Sequence, residues 1–244
     1  MKRIAFVELS HIFSNQIKLP YSTGCIWSYC RTDDEITNNY SFDVHDWVYV
    51  LNDSFDVDKT AQHLAECDIV GISYFVWNTH ACDKVCAKIK KINPKCIIIY
   101  GGLGTPKYGR CDQFLKDRPF IDMIVHNEGE IVFKNILKAL LYKQDLRDIK
   151  GITTHLFQTP LDGRVKDMSS MPSPYLDGLF DDLIAIKKHT YAWESLIELE
   201  RGCPYTCTFC EVGDRHWTKI FKQDYNKLVK EIDWISNKKI DYLH

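Results

Sequence analysis

Cys203, Cys207 and Cys210 stand at C-x3-C-x2-C spacing within the run Cys203-Pro204-Tyr205-Thr206-Cys207-Thr208-Phe209-Cys210. An apolar run at 195–200, expected to be a strand, leads straight into them. Thiolates three and four residues apart on one tight loop can converge on neighbouring irons of a cubane cluster, whose metals depend on soft sulfur ligands. Three ligands leave one iron without a protein donor. A vacant metal position is where a small molecule binds and chemistry begins, as it is in open catalytic zinc sites.

Two simpler chemistries compete for these thiols. A structural zinc site normally shows a second C-x2-C or H-x3-H pair, and downstream of Cys210 there is only His216. A disulfide framework is disfavoured because ten cysteines in 244 residues are about 4 per cent, below the density of a stapled secreted domain. The start Met1-Lys2-Arg3 is followed by a short apolar run without a small-residue cleavage site, so it reads as a first strand and not as a secretory signal. A reducing cytoplasm is therefore expected, where free thiols can hold iron.

The longer motif Glu200-Arg201-Gly202-Cys203-Pro204-Tyr205-Thr206-Cys207-Thr208-Phe209-Cys210 resembles the signature loop of radical S-adenosylmethionine enzymes. That resemblance implies a [4Fe-4S] cluster held by Cys203, Cys207 and Cys210, with S-adenosylmethionine chelating the fourth iron and Phe209 packing by the adenine. It implies reductive cleavage of S-adenosylmethionine to methionine and a 5'-deoxyadenosyl radical, fed by an external electron donor. The Arg-Gly-Cys-Pro lead-in is commonest in members that also carry a cobalamin domain. In those, cobalamin usually carries a methyl group, so the expected activity is cobalamin-assisted methyl transfer, or related radical chemistry, on a small-molecule or unknown substrate. The sequence singles out no catalytic acid, base or nucleophile. A non-catalytic cobalamin-binding module and a zinc-stabilised structural protein are the alternatives from other classes.

The elements that must position this loop can be read from periodicity. Apolar runs at 4–9, 47–51, 69–75, 96–100 and 123–125 suit parallel strands buried on both faces. Between them, Ala81, Val85, Ile89 and Ile92 make one helical stripe that stops before Pro94, and Val132, Ile136 and Leu140 make another. The alternation predicts an α/β fold: a doubly wound, flavodoxin-like domain over 1–150. A connection follows over 151–192, with a hairpin expected around Asp162-Gly163. The first units of a (β/α) barrel occupy 193–244, with a helix capped by Asp224 whose apolar face is Tyr225, Leu228, Val229, Ile232 and Ile235. A full barrel takes about 250 residues, so the radical enzyme fold is expected to be only partly present, as in a fragment or one chain of a split enzyme.

In an open α/β sheet, ligands lie beyond the carboxyl ends of the strands. Four loops there are candidates: the one after the first strand with Ser22, Thr23 and Gly24; the one carrying Tyr74 after the third; Gly101-Gly102-Leu103-Gly104; and His126-Asn127-Glu128-Gly129-Glu130. The set resembles the cobalamin-binding domain of radical S-adenosylmethionine enzymes, where a Gly-Gly loop and a Gly-Glu-Gly-Glu-like segment hold the last two places. Asn127 departs from the first glycine of that segment. This places cobalamin contacts at Ser22, Thr23, Gly24, Tyr74, Gly101, Gly102, Leu103, Glu128 and Gly129. A histidine ligand to cobalt is not expected, because Asp43-Val44-His45 precedes the second strand and Val48 stands where D-x-H-x-x-G needs glycine.

Most of Cys25, Cys30, Cys67, Cys82, Cys86, Cys96 and Cys111 are expected to be small core hydrophobes; Cys82 and Cys86, one helical turn apart, could share a metal but lack further ligands close by. The Gly-Cys-Gln-Met-Asn start of methylthiotransferases, a rival class with a second cluster, is not seen around Cys25. A net charge of -2 gives no electrostatic reason to expect nucleic acid, and the longest apolar runs are far short of a membrane span.

Overall fold

The computed structural model describes residues 1–12, 14–186, 191–210, 212–213 and 215–244. Its first strand, β1 (Lys2–His11), buries Ile4, Ala5, Phe6 and Val7 in succession, as a parallel strand covered on both faces must. Around it lie β3 (Tyr40–Phe42), β4 (Val48–Leu51), β5 (Ile69–Ser73), β6 (Ile97–Gly101), β7 (Met123–Val125) and β8 (Ile152–Thr153). The sheet order is β3-β1-β5-β6-β7-β8, with β4 joining the second half of β1. Counting β3 as the second strand gives the 2-1-3-4-5 order of flavodoxin-like sheets. The pairs from β3 to β7 are parallel, and β8 joins β7 antiparallel.

Helices cover both faces. Side chains of α3 (Val57–Leu64), α4 (Thr79–Ile92) and α5 (Asp112–Lys116) meet Ala5, Val7, Val70, Ile72, Ile98 and Tyr100 in one core. Those of α1 (Tyr21–Cys30), α2 (Asp34–Asn39) and α6 (Gly129–Tyr142) meet Ile4, Phe6, Ile69, Ile99 and Met123 in another. Alternate residues of each strand thus feed opposite cores, the pattern that a two-sided sheet demands. The seven cysteines outside the C-x3-C-x2-C run are all buried, as expected of core residues.

Several expectations need correction. The segment at 19–24 is no open loop, because a three-residue strand, β2 (Gln16–Lys18), intervenes and α1 starts at Tyr21. β2 leaves the main sheet and pairs in parallel with β9 (Ala192–Ser195), which pairs in turn with β12 (Tyr242–Leu243). The strand expected at 195–200 therefore lies earlier: at Leu196 the backbone turns instead onto the Tyr175 hydroxyl, which accepts from Leu196 N and donates to Leu196 O at 2.7 Å.

The hairpin turn lies at 154–157 and not at Asp162-Gly163, with Thr153 bridged to Gln158 and Thr154 N donating to Phe157 O. The stretch expected as a connection carries α7 (Leu179–Ile186) and packs Tyr175, Phe180 and Leu183 into the same core as Phe6 and Trp193. On α8 (Tyr225–Asn237) the buried residues are Glu231 and Ile235, while Tyr225, Val229 and Ile232 of the expected inner stripe are exposed.

Candidate cofactor cleft and cysteine loop

β10 (Glu200–Arg201) pairs antiparallel with β11 (Phe221–Lys222), so the residues between them form a loop closed at its base. Three contacts tighten that base. Cys203 N donates to Trp217 O at 2.8 Å, and Gln223 N to Leu199 O at 2.9 Å. Gly202 adopts φ +126°, and a Cβ there would stand 2.4 Å from Lys219 O, so only glycine lets the two arms meet. Within the loop, Cys210 N donates to Cys207 O and Gly213 N to Cys210 O, two consecutive turns that carry the last two cysteines. Lys107, on the loop after β6, reaches across to donate to Cys210 O at 2.9 Å. Cys203 and Cys210 are half-buried and Cys207 is exposed, unlike the other seven thiols.

A cleft of about 710 Å³ lies between this base and the carboxyl ends of β5, β6 and β7. One wall is formed by Ser73, Gly101, Gly102, Leu103, Asn127, Glu128 and Gly129, and the facing wall by residues 196–202. Gly102, at φ +106°, would place a Cβ 2.7 Å from Tyr74 O, which explains why the loop needs glycine where it folds back on β5. Asn127 adopts φ 61°, the left-handed conformation that asparagine tolerates best among non-glycine residues.

Of the residues expected to touch a ligand, Ser22, Thr23, Gly101, Gly102, Leu103, Glu128 and Gly129 line the cleft. Gly24, Tyr74 and Phe209 do not line it. Gly24 packs under Phe180, where a Cβ would come within 2.9 Å of the ring. Tyr74 turns into the core, with its hydroxyl donating to Asp83, and contributes only backbone to the loop. Phe209 is 89% exposed on the cysteine loop. The Thr23 hydroxyl accepts from the Trp47 indole at 2.8 Å.

The floor of the cleft is charged and nearly closed to solvent. Glu130 accepts from Arg201 at 2.6 Å, and Arg201 also donates to Glu198 at 2.9 Å. Burial works against the Arg201 charge, but Glu130 and Glu198 more than offset it and hold the guanidinium above its ordinary pKa. Burial likewise pushes the Glu198 carboxyl up despite Arg201. Glu128 accepts from Arg164 Nε at 3.1 Å and from Val165 N at 2.5 Å. His126, hydrogen-bonded to Thr153 Oγ1 at 2.7 Å, is pushed down to about 4 by burial. Arg164 escaped the sequence reading because it lies in the stretch expected as a connection; His126 was read as part of the last candidate loop but was given no contact of its own.

No protein-family model matches the chain. Over 231 residues it is 28% identical to the cobalamin-dependent radical SAM methyltransferase TokK of Streptomyces tokunonensis, covering 92% of this chain and 33% of TokK. Over the same length it is 27% identical to 2-(S-pantetheinyl)-carbapenam-3-carboxylate methyltransferase of Streptantibioticus cattleyicolor, again with 92% and 33% coverage. The anaerobic magnesium-protoporphyrin IX monomethyl ester cyclase of Synechocystis sp. is 29% identical over 197 residues, 76% of this chain and 37% of the cyclase. This chain is a homologue of cobalamin-dependent radical SAM methyltransferases. It spans about a third of the length of these curated relatives. The radical S-adenosylmethionine methyltransferase TsrM of Kitasatospora setae, solved with cobalamin and a [4Fe-4S] cluster, shares the fold at a TM-score of 0.62 and 14% identity, over 100% of this chain and 48% of TsrM.

The residues of this radical SAM homologue suit the groups its relatives' names imply. Its accessible thiols are the three at cluster spacing, and none of them is engaged in a disulfide. Among the described residues, no three His, Cys, Asp or Glu side chains converge as the ligands of a single ion would; a cubane asks instead for thiolates that each reach a different iron. The cleft is large enough for a planar cofactor portion and is lined by glycine backbone that can approach one closely. Among the described residues no helix is long and apolar enough to cross a membrane.

Proposed function

We propose that this chain supplies the cobalamin-holding and cluster-holding parts of a radical S-adenosylmethionine enzyme, the former within 1–150 and the latter within 193–244. The observation that carries this reading is the single cleft whose walls are the glycine loops of the parallel sheet on one side and the lead-in to the cysteine loop on the other. Cys203, Cys207 and Cys210 would hold the cluster, and Gly101, Gly102, Leu103, Glu128 and Gly129 would border cobalamin, with Phe209 free to meet the adenine of S-adenosylmethionine. The chemistry these groups supply when bound is reductive cleavage of S-adenosylmethionine and carriage of a methyl group. The chain's own part is to hold the two sites a fixed distance apart, to present an uncrowded backbone to the cleft, and to keep the charged floor paired so that none of its carboxylates competes for the cluster.

Methyl transfer is favoured over cyclisation because the two methyltransferases align over 92% of this chain and the cyclase over 76%. The acceptor would be a small molecule and the electron an external donor's, in a reducing cytoplasm. The test is anaerobic reconstitution with iron and sulfide, followed by titration with hydroxocobalamin and gel filtration. About four irons per folded chain and retained cobalamin support the reading. Stoichiometric zinc without iron-dependent visible absorption, or no cobalamin retained by a folded chain at ligand excess, would overturn the corresponding half. In the whole protein, S-adenosylhomocysteine among the products separates methyl transfer from other outcomes.

A further inference from the structure

Arg164 belongs to no motif, yet every nitrogen of its guanidinium is engaged. Nε donates to Glu128 at 3.1 Å, Nη2 to Arg201 O at 3.1 Å, and Nη1 to His216 O at 3.2 Å and Lys219 O at 3.3 Å. The group lies over the Trp217 indole at 4.2 Å and is 7% exposed. Arg201 is on the ingoing arm of the cysteine loop, and His216 and Lys219 are on the outgoing arm. Glu128 is the residue from which α6 starts, on the wall of the cleft.

We propose that Arg164 is a positioning residue that clasps the two arms of the cysteine loop and fastens both to Glu128, so that the loop and the cleft wall are set as one unit. Three observations converge on this. A planar, five-donor fork is the side chain that can collect carbonyls from two arms while pairing with a carboxylate, which a lysine's single ammonium cannot do in the same plane. The fork also stacks on Trp217, which itself accepts from Cys203 N, so the guanidinium is fixed in orientation as well as in place. And the loop's own strand pairing is short, two residues on each strand, so contacts from outside the ribbon, Arg164 among them, set where it sits. For the cluster, the inference rests on the proposed function; for the loop, it does not.

The test uses Arg164→Lys, which keeps the charge beside Glu128, and the double variant Arg164→Gln with Glu128→Gln, which removes both charges and leaves no buried carboxylate unpaired. Amide hydrogen exchange is followed in the iron-free protein, and iron loss to a chelator and the electron paramagnetic resonance of the reduced cluster in the reconstituted one. Loss of hydrogen bonds from a charged donor should speed exchange across 201–219 about tenfold or more, with α4 and β6 unchanged, and should shorten iron retention similarly with an altered resonance. Arg164→Lys should restore the urea midpoint but not the loop's protection.

Exchange and iron retention within twofold of the parent in both variants would overturn the clasp. If the parent takes up no iron, the proposed function fails instead, and exchange over 201–219 still decides whether Arg164 holds the loop.

Discussion

Replacing Gly202 with alanine should open the cysteine loop and leave the main sheet intact. At φ +126° a side chain strains the backbone by about 1–3 kcal/mol. A Cβ 2.4 Å from Lys219 O and 2.9 Å from Trp217 O adds a clash with backbone that cannot swing away, about 1–3 kcal/mol by comparison with overpacked cores. The sum, about 2–6 kcal/mol, is of the same order as what the hydrogen bonds at the loop base return at about 1 kcal/mol each. The strain is therefore large enough to loosen the two arms. The expected outcome is a urea midpoint lowered only by what loop closure contributes, together with iron retention reduced by an order of magnitude or more. Gly163→Ala is the control: a Cβ there meets nothing within 4 Å, so its stability should be unchanged or raised by up to about 1 kcal/mol. A Gly202→Ala protein that matches its parent in both midpoint and iron retention would refute the reasoning.

Cys207→Ala should reduce bound iron after reconstitution to a small fraction of the parent's, measured by iron and sulfide analysis on folded protein. His126, held down to about 4 from its ordinary 6.5, is neutral when folded, so stability should be complete above pH 6.5 and fall by up to about 3 kcal/mol as pH drops toward 4; urea midpoints against pH should show this slope, and His126→Asn should flatten it. Thr23→Val leaves the fully buried Trp47 indole without its acceptor and should cost about 1–3 kcal/mol in thermal or urea unfolding, whereas Thr23→Ser should cost less.

The long strands and helices were legible in the sequence because each buries an unbroken run or a regular stripe. β1, β5, β6 and β7 all lie where apolar runs predicted them, with ends moved by up to two residues. The cysteine loop stood out because thiolate ligands of a cluster would have to match in residue type and spacing together, and the structure adds that its three thiols are the accessible ones. What escaped was set by partners distant in sequence. Gln16–Lys18 is too short to show a period, and it is a strand only because β9 lies beside it. Gly24 and Tyr74 carried the right residue types for a ligand loop, yet Phe180 and Asp83 claim them for packing. Asn127 departs from the motif in residue type, and its positive φ, a feature of backbone that a letter does not show, became visible only in the structure. Arg164 was invisible because three of its four acceptors are backbone carbonyls, which have no letter in the sequence.

The pairing of β2 with β9 has a consequence for synthesis. As the chain leaves the ribosome, the strands from β1 to β8 can find their partners once Thr153 has emerged, but Gln16–Lys18 has no parallel neighbour until Ala192–Ser195 follows. At elongation rates of 5–20 residues per second that wait lasts roughly 2–8 s. Through it, Ile17, fully buried in the finished fold, stays open on an unpaired edge of the kind that other nascent chains can capture. Ribosome-stalled chains halted shortly after residue 153 should accordingly be cut by protease near Gln16–Lys18, and those halted well past residue 195 should resist.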